Sequence, residues 1–123
     1  MIDNWPKTTM ALTQHLKTLR SASPELMQTF SDCAKIALKP GTLDTKVKEL
    51  MALAVSVAVR CDDCIAFHTK AAIQQGATRE ELQETLNLAV YMGAGPSVMY
   101  ASHALTAFEE LKMAQSETQR LSD

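Results

Sequence analysis

The chain has 123 residues, 46% of them hydrophobic and 21% charged, enough for one ordinary domain with a single core and too few for two. Twelve Lys and Arg against fourteen Asp and Glu give a formal net charge of -2, so no excess positive field exists to hold a nucleic-acid backbone or an anionic membrane surface, and neither is expected as a partner. The longest apolar stretch, Met51–Val59 with Ser56 inside it, falls well below the roughly 20 residues of a membrane span.

The opening residues, Met1 to Lys7, show no basic segment followed by an apolar one and no small-residue cleavage site, which points to the cytoplasm. In that reducing compartment three cysteines, two of them three residues apart, read as chemistry or metal binding rather than as a disulfide framework.

Apolar positions recur at helical spacing from end to end, and β-branched and aromatic residues form no alternating runs, so the expected fold is all-α, a single domain over 1–123. A first helix is expected over Thr9–Arg20, after Pro6 as a breaker, with Met10, Leu12, Leu16 and Leu19 as a ragged apolar face. Ser23-Pro24 starts a second, because serine caps free amides and proline suits the first helical position. It runs to about Leu38, and Pro40-Gly41 stops it. Asp44 caps a third, whose Val47, Leu50, Met51, Ala54, Val55 and Ala58 predict near-complete burial. The apolar run ends abruptly at Arg60-Cys61-Asp62, where a kink or break is expected. A fourth helix then covers Asp63–Gln75, closed by Gly76. Thr78 and Glu81 form a capping-box pattern for a helix over Arg79–Tyr91. Gly93-Ala94-Gly95-Pro96 breaks the chain again before a last long helix carrying Val98, Ala101, Ala104, Leu105, Phe108 and Leu111.

The segment with chemistry is Cys61-Asp62-Asp63-Cys64-Ile65-Ala66-Phe67-His68. Two thiols at this spacing at a helix start can close a disulfide, which needs a Cα separation of about 4.4–6.8 Å. His68 follows Cys64 by four positions and Cys61 by seven, so a helix stacks all three on one face and brings a base within reach of a thiol. The thiolate is the nucleophile, and a free thiol is mostly protonated at neutral pH. First-turn amides, His68 and Arg60 favour the anion, whereas Asp62 and Asp63 oppose it. Glu49, beside Lys48, taken alone reads as a solvated residue near a helix start.

Glu49, Cys61 twelve positions on, Cys64 and His68 together resemble the active-site pattern of the AhpD-like alkylhydroperoxidases of the carboxymuconolactone decarboxylase superfamily. The resemblance extends from Leu43 to Leu111 and includes Lys48-Glu49-Leu50-Met51-Ala52-Leu53-Ala54, Gly76-Ala77-Thr78 before Glu80-Glu81, and the Met92–Pro96 break. It implies a compact all-helical domain of about six helices with the cysteine pair at the start of a central one. It also implies trimers or hexamers, and a peroxide-reducing, disulfide-exchanging centre that needs no cofactor or metal. By resemblance Cys64 is the nucleophile, Cys61 resolves, and His68 with Glu49 forms a proton relay, water-bridged if need be. A hydroperoxide is then the substrate and a separate dithiol the reductant. AhpD itself has a histidine before its second cysteine where this chain has Asp63, so that imidazole is absent and peroxidase activity is weaker or aimed elsewhere.

Other readings remain open on the residues. Cys61, Cys64, His68 and His103 could hold zinc, although three ligands on two turns of one helix is an uncommon spacing. The pair could serve redox sensing or a protein interaction without turnover, or the chain could be a lactone decarboxylase by fold analogy. Cys33, among Phe30, Ala34 and Ala37, reads as core. Tyr91 and Tyr100 read as buried with a bonded hydroxyl, and Met92, Met99 and Met113 as core filler or subunit contact. His103 fits core or rim, and His15 has no evident partner.

Overall fold

In the computed structural model, which describes residues 2–123, five α-helices follow in order: α1 (Trp5–Ala22), α2 (Pro24–Leu38), α3 (Thr45–Ala58), α4 (Asp62–Gln74) and α5 (Arg79–Ser122). No strand occurs among the described residues. The backbone of α5 leaves helical geometry at Ala94, so its two halves account for the six helices expected.

The helix starts follow side-chain chemistry. Asp44 accepts the Val47 N–H at 2.8 Å. Thr78 accepts the Glu81 N–H at 3.1 Å while Glu81 accepts the Thr78 N–H at 2.9 Å, a complete capping box. Pro24 opens α2 as expected, without a side-chain bond from Ser23. The first helix begins four residues before the expected Thr9: Asn4 accepts the Lys7 N–H at 2.9 Å, and Pro6 sits inside the first turn. Proline's missing N–H would be unpaired there anyway, so Pro6 helps start the helix instead of stopping its approach.

α3, α4 and α5 pack on one another, and α1 closes one side. Leu53 and Val57 meet Ile65 and Ala66 from α4 and Leu82 and Leu86 from α5. Trp5, only 1% exposed, brings α1 into this core, and its backbone N–H donates to the Glu110 carboxylate at 3.0 Å. Burying such a side chain stabilises the fold by about 1.5–3 kcal/mol.

The near-complete burial expected of the third helix is not found. Glu49, Leu50, Leu53, Ser56 and Val57 form its buried stripe, while Val47, Met51, Val55 and Val59 face outward. α2 touches only α1 and α3 and buries no residue, so Cys33, read from the sequence as core, is exposed. Tyr91 is 81% exposed rather than buried, and Tyr100 is half-buried. Met92, Met99 and Met113 are exposed too, which removes the core-filler reading for them. Periodicity identifies an apolar face without saying what covers it.

The break in α5 stores strain. Ala94 adopts φ 54°, ψ -140°, a conformation that side chains disfavour. One residue earlier, a Cβ on Gly93 would fall 1.8 Å from the Ser97 hydroxyl, so only glycine fits. Replacing Ala94 with Gly raises stability by about 1 kcal/mol, the relief of strain exceeding the extra chain entropy; denaturant unfolding against the parent measures it.

On the surface, Lys46 of α3 pairs with Glu81 of α5 at 2.8 Å. The Lys46 ammonium and then the Thr78 N–H hold the Glu81 carboxyl below its ordinary value, and Glu81 raises Lys46 above its own. A lowered carboxyl contributes stability above the unfolded-state value and loses it as pH falls through the folded one. A raised ammonium contributes below its unfolded value and loses it as pH rises through the folded one. The stability difference between parent and Lys46→Met is therefore small and constant around neutrality and disappears in acid, which unfolding curves at pH 7 and pH 3 test.

Candidate active site

The cysteine pair owes its position to the turn between α3 and α4. The last turn of α3 closes by a Schellman motif: the Cys61 N–H donates to the Ser56 carbonyl at 3.0 Å and the Arg60 N–H to the Val57 carbonyl at 3.2 Å. The residue in the left-handed position is Arg60, with φ 60°. The same motif at the end of α4 uses Gly76, φ 85°, where the Ala77 N–H reaches the Ala72 carbonyl at 2.9 Å. The turn at Arg60 delivers Cys61 directly to the N-cap of α4, which realises the break expected there.

As N-cap, Cys61 places its sulfur over the free amides of the first turn, and its Sγ accepts the Cys64 N–H at 3.1 Å. Cys61 and Cys64 are joined as a disulfide with a Cα separation of 5.2 Å. The pair therefore closes within the first turn of α4 while the helix continues from Asp62.

Glu49 is not the solvated residue that its neighbour Lys48 suggests. It is 4% exposed, and its Oε2 lies 2.8 Å from Nδ1 of His68. Four residues before Leu53 and eight before Val57, Glu49 sits on the buried stripe of α3, a register that the sequence offered as a signal. A buried carboxylate without a partner is costly, and His68 supplies one across the α3–α4 interface. Because the carboxylate accepts, Nδ1 carries the proton, and Nε2 is the basic atom of the neutral ring. The His68 side chain remains 32% exposed, so that basic atom belongs to a ring open to solvent on the face where helical spacing puts Cys64.

A second pair escaped sequence reading. His103, on the second half of α5, bonds through Nδ1 to Oδ1 of Asp62 at 2.8 Å, and the Tyr100 ring leans against it with centroids 4.8 Å apart. Forty-one positions separate the partners, and no local pattern links them. No group of three or more His, Cys, Asp or Glu among the described residues is arranged to hold a metal ion. His15 is exposed on α1.

Two surface grooves lie elsewhere. One, of about 570 Å³, runs between α1, the end of α4 and the end of α5, lined by Thr9, Met10, Ile73 and Leu111. The other, of about 750 Å³, follows α5 past Phe108 and Lys112. Neither includes Glu49, Cys61, Cys64 or His68.

Residues 24–107 match the model of the carboxymuconolactone decarboxylase family. The chain belongs to that family. This carboxymuconolactone decarboxylase family protein is 46% identical over 93 residues to an uncharacterised protein of Cupriavidus necator, covering 76% of this chain and 82% of the relative. An uncharacterised protein of the cox locus of Paracoccus denitrificans is 32% identical, with 86% of this chain and 92% of the relative covered. Among solved structures, an apo family protein of Legionella pneumophila superposes with a TM-score of 0.85 at 51% identity, covering 87% of this chain and 96% of that one. A family protein of Thermotoga maritima, described with a suggested involvement in antioxidative response, superposes with a TM-score of 0.81 at 31% identity, covering 90% and 95%. The fold and the AhpD-like assignment agree with these findings. No helix of the described residues is long and apolar enough to cross a membrane.

Proposed function

We propose that this family member is an AhpD-like thiol peroxidase and disulfide oxidoreductase that reduces hydroperoxides through Cys64 and Cys61. The observation that carries this reading is a buried carboxylate, Glu49, holding Nδ1 of His68 at 2.8 Å one helical turn from a cysteine pair that closes as a disulfide. The antioxidative role suggested for the Thermotoga maritima relative supports it.

In the proposed cycle His68 takes the Cys64 proton, and the thiolate attacks the peroxide's terminal oxygen. The O–O bond breaks, the alkoxide leaves with a proton from His68, and Cys64 becomes a sulfenic acid. Cys61 attacks that sulfur, water departs, and the disulfide forms. A separate dithiol, by two exchanges, restores both thiols and leaves as its own disulfide. Glu49 keeps His68 in the productive tautomer and stabilises the ring when it is charged. Intact and peptide mass after a brief peroxide pulse on reduced protein test the cycle: the parent forms the Cys61–Cys64 crosslink, and Cys61→Ser accumulates sulfenic acid at Cys64. If both thiols remain free after the pulse, the cycle is wrong.

The assembly belongs to the same proposal: a homotrimer or homohexamer, in the cytoplasm. The chain exposes 8090 Å², against ~6,500 Å² for a compact monomer of this mass. Phe30 and Ile36 on α2, Met51 and Val55 on α3, and Tyr91 and Met92 on α5 lie among the exposed apolar side chains, a distribution that a monomer rarely tolerates. Light scattering of the reduced protein gives three or six subunits; a monomer at micromolar concentration rejects the assembly.

A further inference from the structure

We propose that His103 and Asp62 form a second histidine–carboxylate pair that serves Cys61 as Glu49 and His68 serve Cys64, His103 being the positioning residue that keeps Asp62 from suppressing the Cys61 thiolate. This deepens the thiol-exchange reading and rests on it.

The case begins with the charges around Cys61. Its sulfur caps α4 and already receives the Cys64 N–H at 3.1 Å, and a thiolate there gains from that amide and from the helix N-terminus. The next residue works against it. Asp62 follows Cys61 directly as the first residue of α4, and a carboxylate on the residue next to a thiol disfavours a second negative charge. Of the other ionisable groups nearby in the chain, Arg60 precedes Cys61 in the turn and is exposed, and Asp63 is exposed in the first turn of α4. From α3, Glu49 is engaged by His68. From α5 come Tyr100 and His103.

Only His103 among these is bonded to Asp62. Its Nδ1–H donates to Oδ1 at 2.8 Å, with side-chain exposures of 15% for His103 and 23% for Asp62. Such a shielded, charge-assisted bond draws charge from the carboxylate with a neutral ring and cancels it with a protonated one. Tyr100, tilted 55° against the imidazole, restricts the ring. The bond also ties the first turn of α4 to the half of α5 beyond Ala94. Two imidazole–carboxylate pairs therefore flank the cysteine turn, His68 with Glu49 across α4 and α3 and His103 with Asp62 across α5 and α4; the proposal gives the first to Cys64 and the second to Cys61.

The test isolates Cys61 in a Cys64→Ser background, which preserves the residue-64 N–H. Alkylation by iodoacetamide is followed against pH, peptide by peptide, so that the exposed Cys33 is counted separately. His103→Asn, which keeps a donor but cannot carry charge, raises the alkylation midpoint of Cys61 by about one pH unit, a roughly tenfold slower reaction below the midpoint. Adding Asp62→Asn to His103→Asn returns the midpoint to the parent value or below. In the Cys61→Ser background His103→Asn leaves the Cys64 midpoint in place. An unmoved Cys61 midpoint, an equal shift at Cys64, or failure of Asp62→Asn to reverse the shift each overturns the proposal; a purely structural role for the bond predicts no such reversal. His103→Gln replaces His103→Asn if the latter does not fold. Alkylation needs no peroxide, so failure of the peroxidase reading and failure of this one register in different measurements.

Discussion

Replacing His68 with Asn lowers the rate at which the reduced protein consumes a hydroperoxide at neutral pH by about 100-fold or more, the usual magnitude for a positioned acid–base group. The side chain performs two transfers in the proposed cycle, removing the Cys64 proton and returning one to the leaving alkoxide, and asparagine performs neither. Glu49→Gln acts through His68 and costs less. It keeps the size of the buried side chain and removes the charge that the Nδ1–H bond at 2.8 Å depends on. Glutamine still offers a neutral acceptor, so only the difference between a charged and a neutral hydrogen bond is lost, about 1–1.5 kcal/mol, and the rate falls about tenfold. Initial rates of peroxide loss with excess dithiol measure both variants, with circular dichroism and the thermal midpoint showing that each is folded.

The two cysteines fail differently. Cys64→Ser abolishes peroxide reduction from the first turnover, because no thiolate remains in the position served by His68. Cys61→Ser completes one turnover and stops, since the sulfenic acid on Cys64 has no neighbouring thiol to capture it. Rapid mixing with excess peroxide shows a burst of one equivalent per subunit in Cys61→Ser and none in Cys64→Ser. A burst in the opposite variant exchanges the roles of the two sulfurs. The exposed Cys33 contributes a slow background, read from the double variant Cys61→Ser/Cys64→Ser. A lactone decarboxylase activity, by contrast, survives in that double variant.

Legibility in the sequence divides along the distance over which each interaction acts. Asp44, Thr78 with Glu81, and Gly76 act within a turn or two of their own helix ends, and they mark the boundaries found. Pro6 carries two opposite signals, because the same residue that breaks a helix interior suits its first turn, where it sits here. The left-handed position before Cys61 is filled by Arg60 where glycine would have announced it, so the break was legible only from the end of the apolar run. The pairing of Glu49 with His68 spans two helices. Spacing within α4 places His68 with the cysteines, but only the family resemblance brought Glu49 to them, and the register of Glu49 with Leu53 and Val57 was the local trace of its burial. His103 and Asp62 had no such trace. Cys33, expected in the core, and Tyr91, expected to be buried with a bonded hydroxyl, both meet solvent in the single chain.

The central claim is that Glu49 makes His68 the group that manages the Cys64 proton. It is tested most directly by single-turnover formation of the Cys64 sulfenic acid, trapped chemically and quantified by peptide mass, in Cys61→Ser protein across pH 5 to 10, with and without Glu49→Gln. With Glu49 intact the rate reaches its plateau at the lower pH, and Glu49→Gln moves the rising limb upward by about one pH unit. Two superimposable profiles would contradict it, leaving Glu49 a structural anchor and Cys64 without its proton relay.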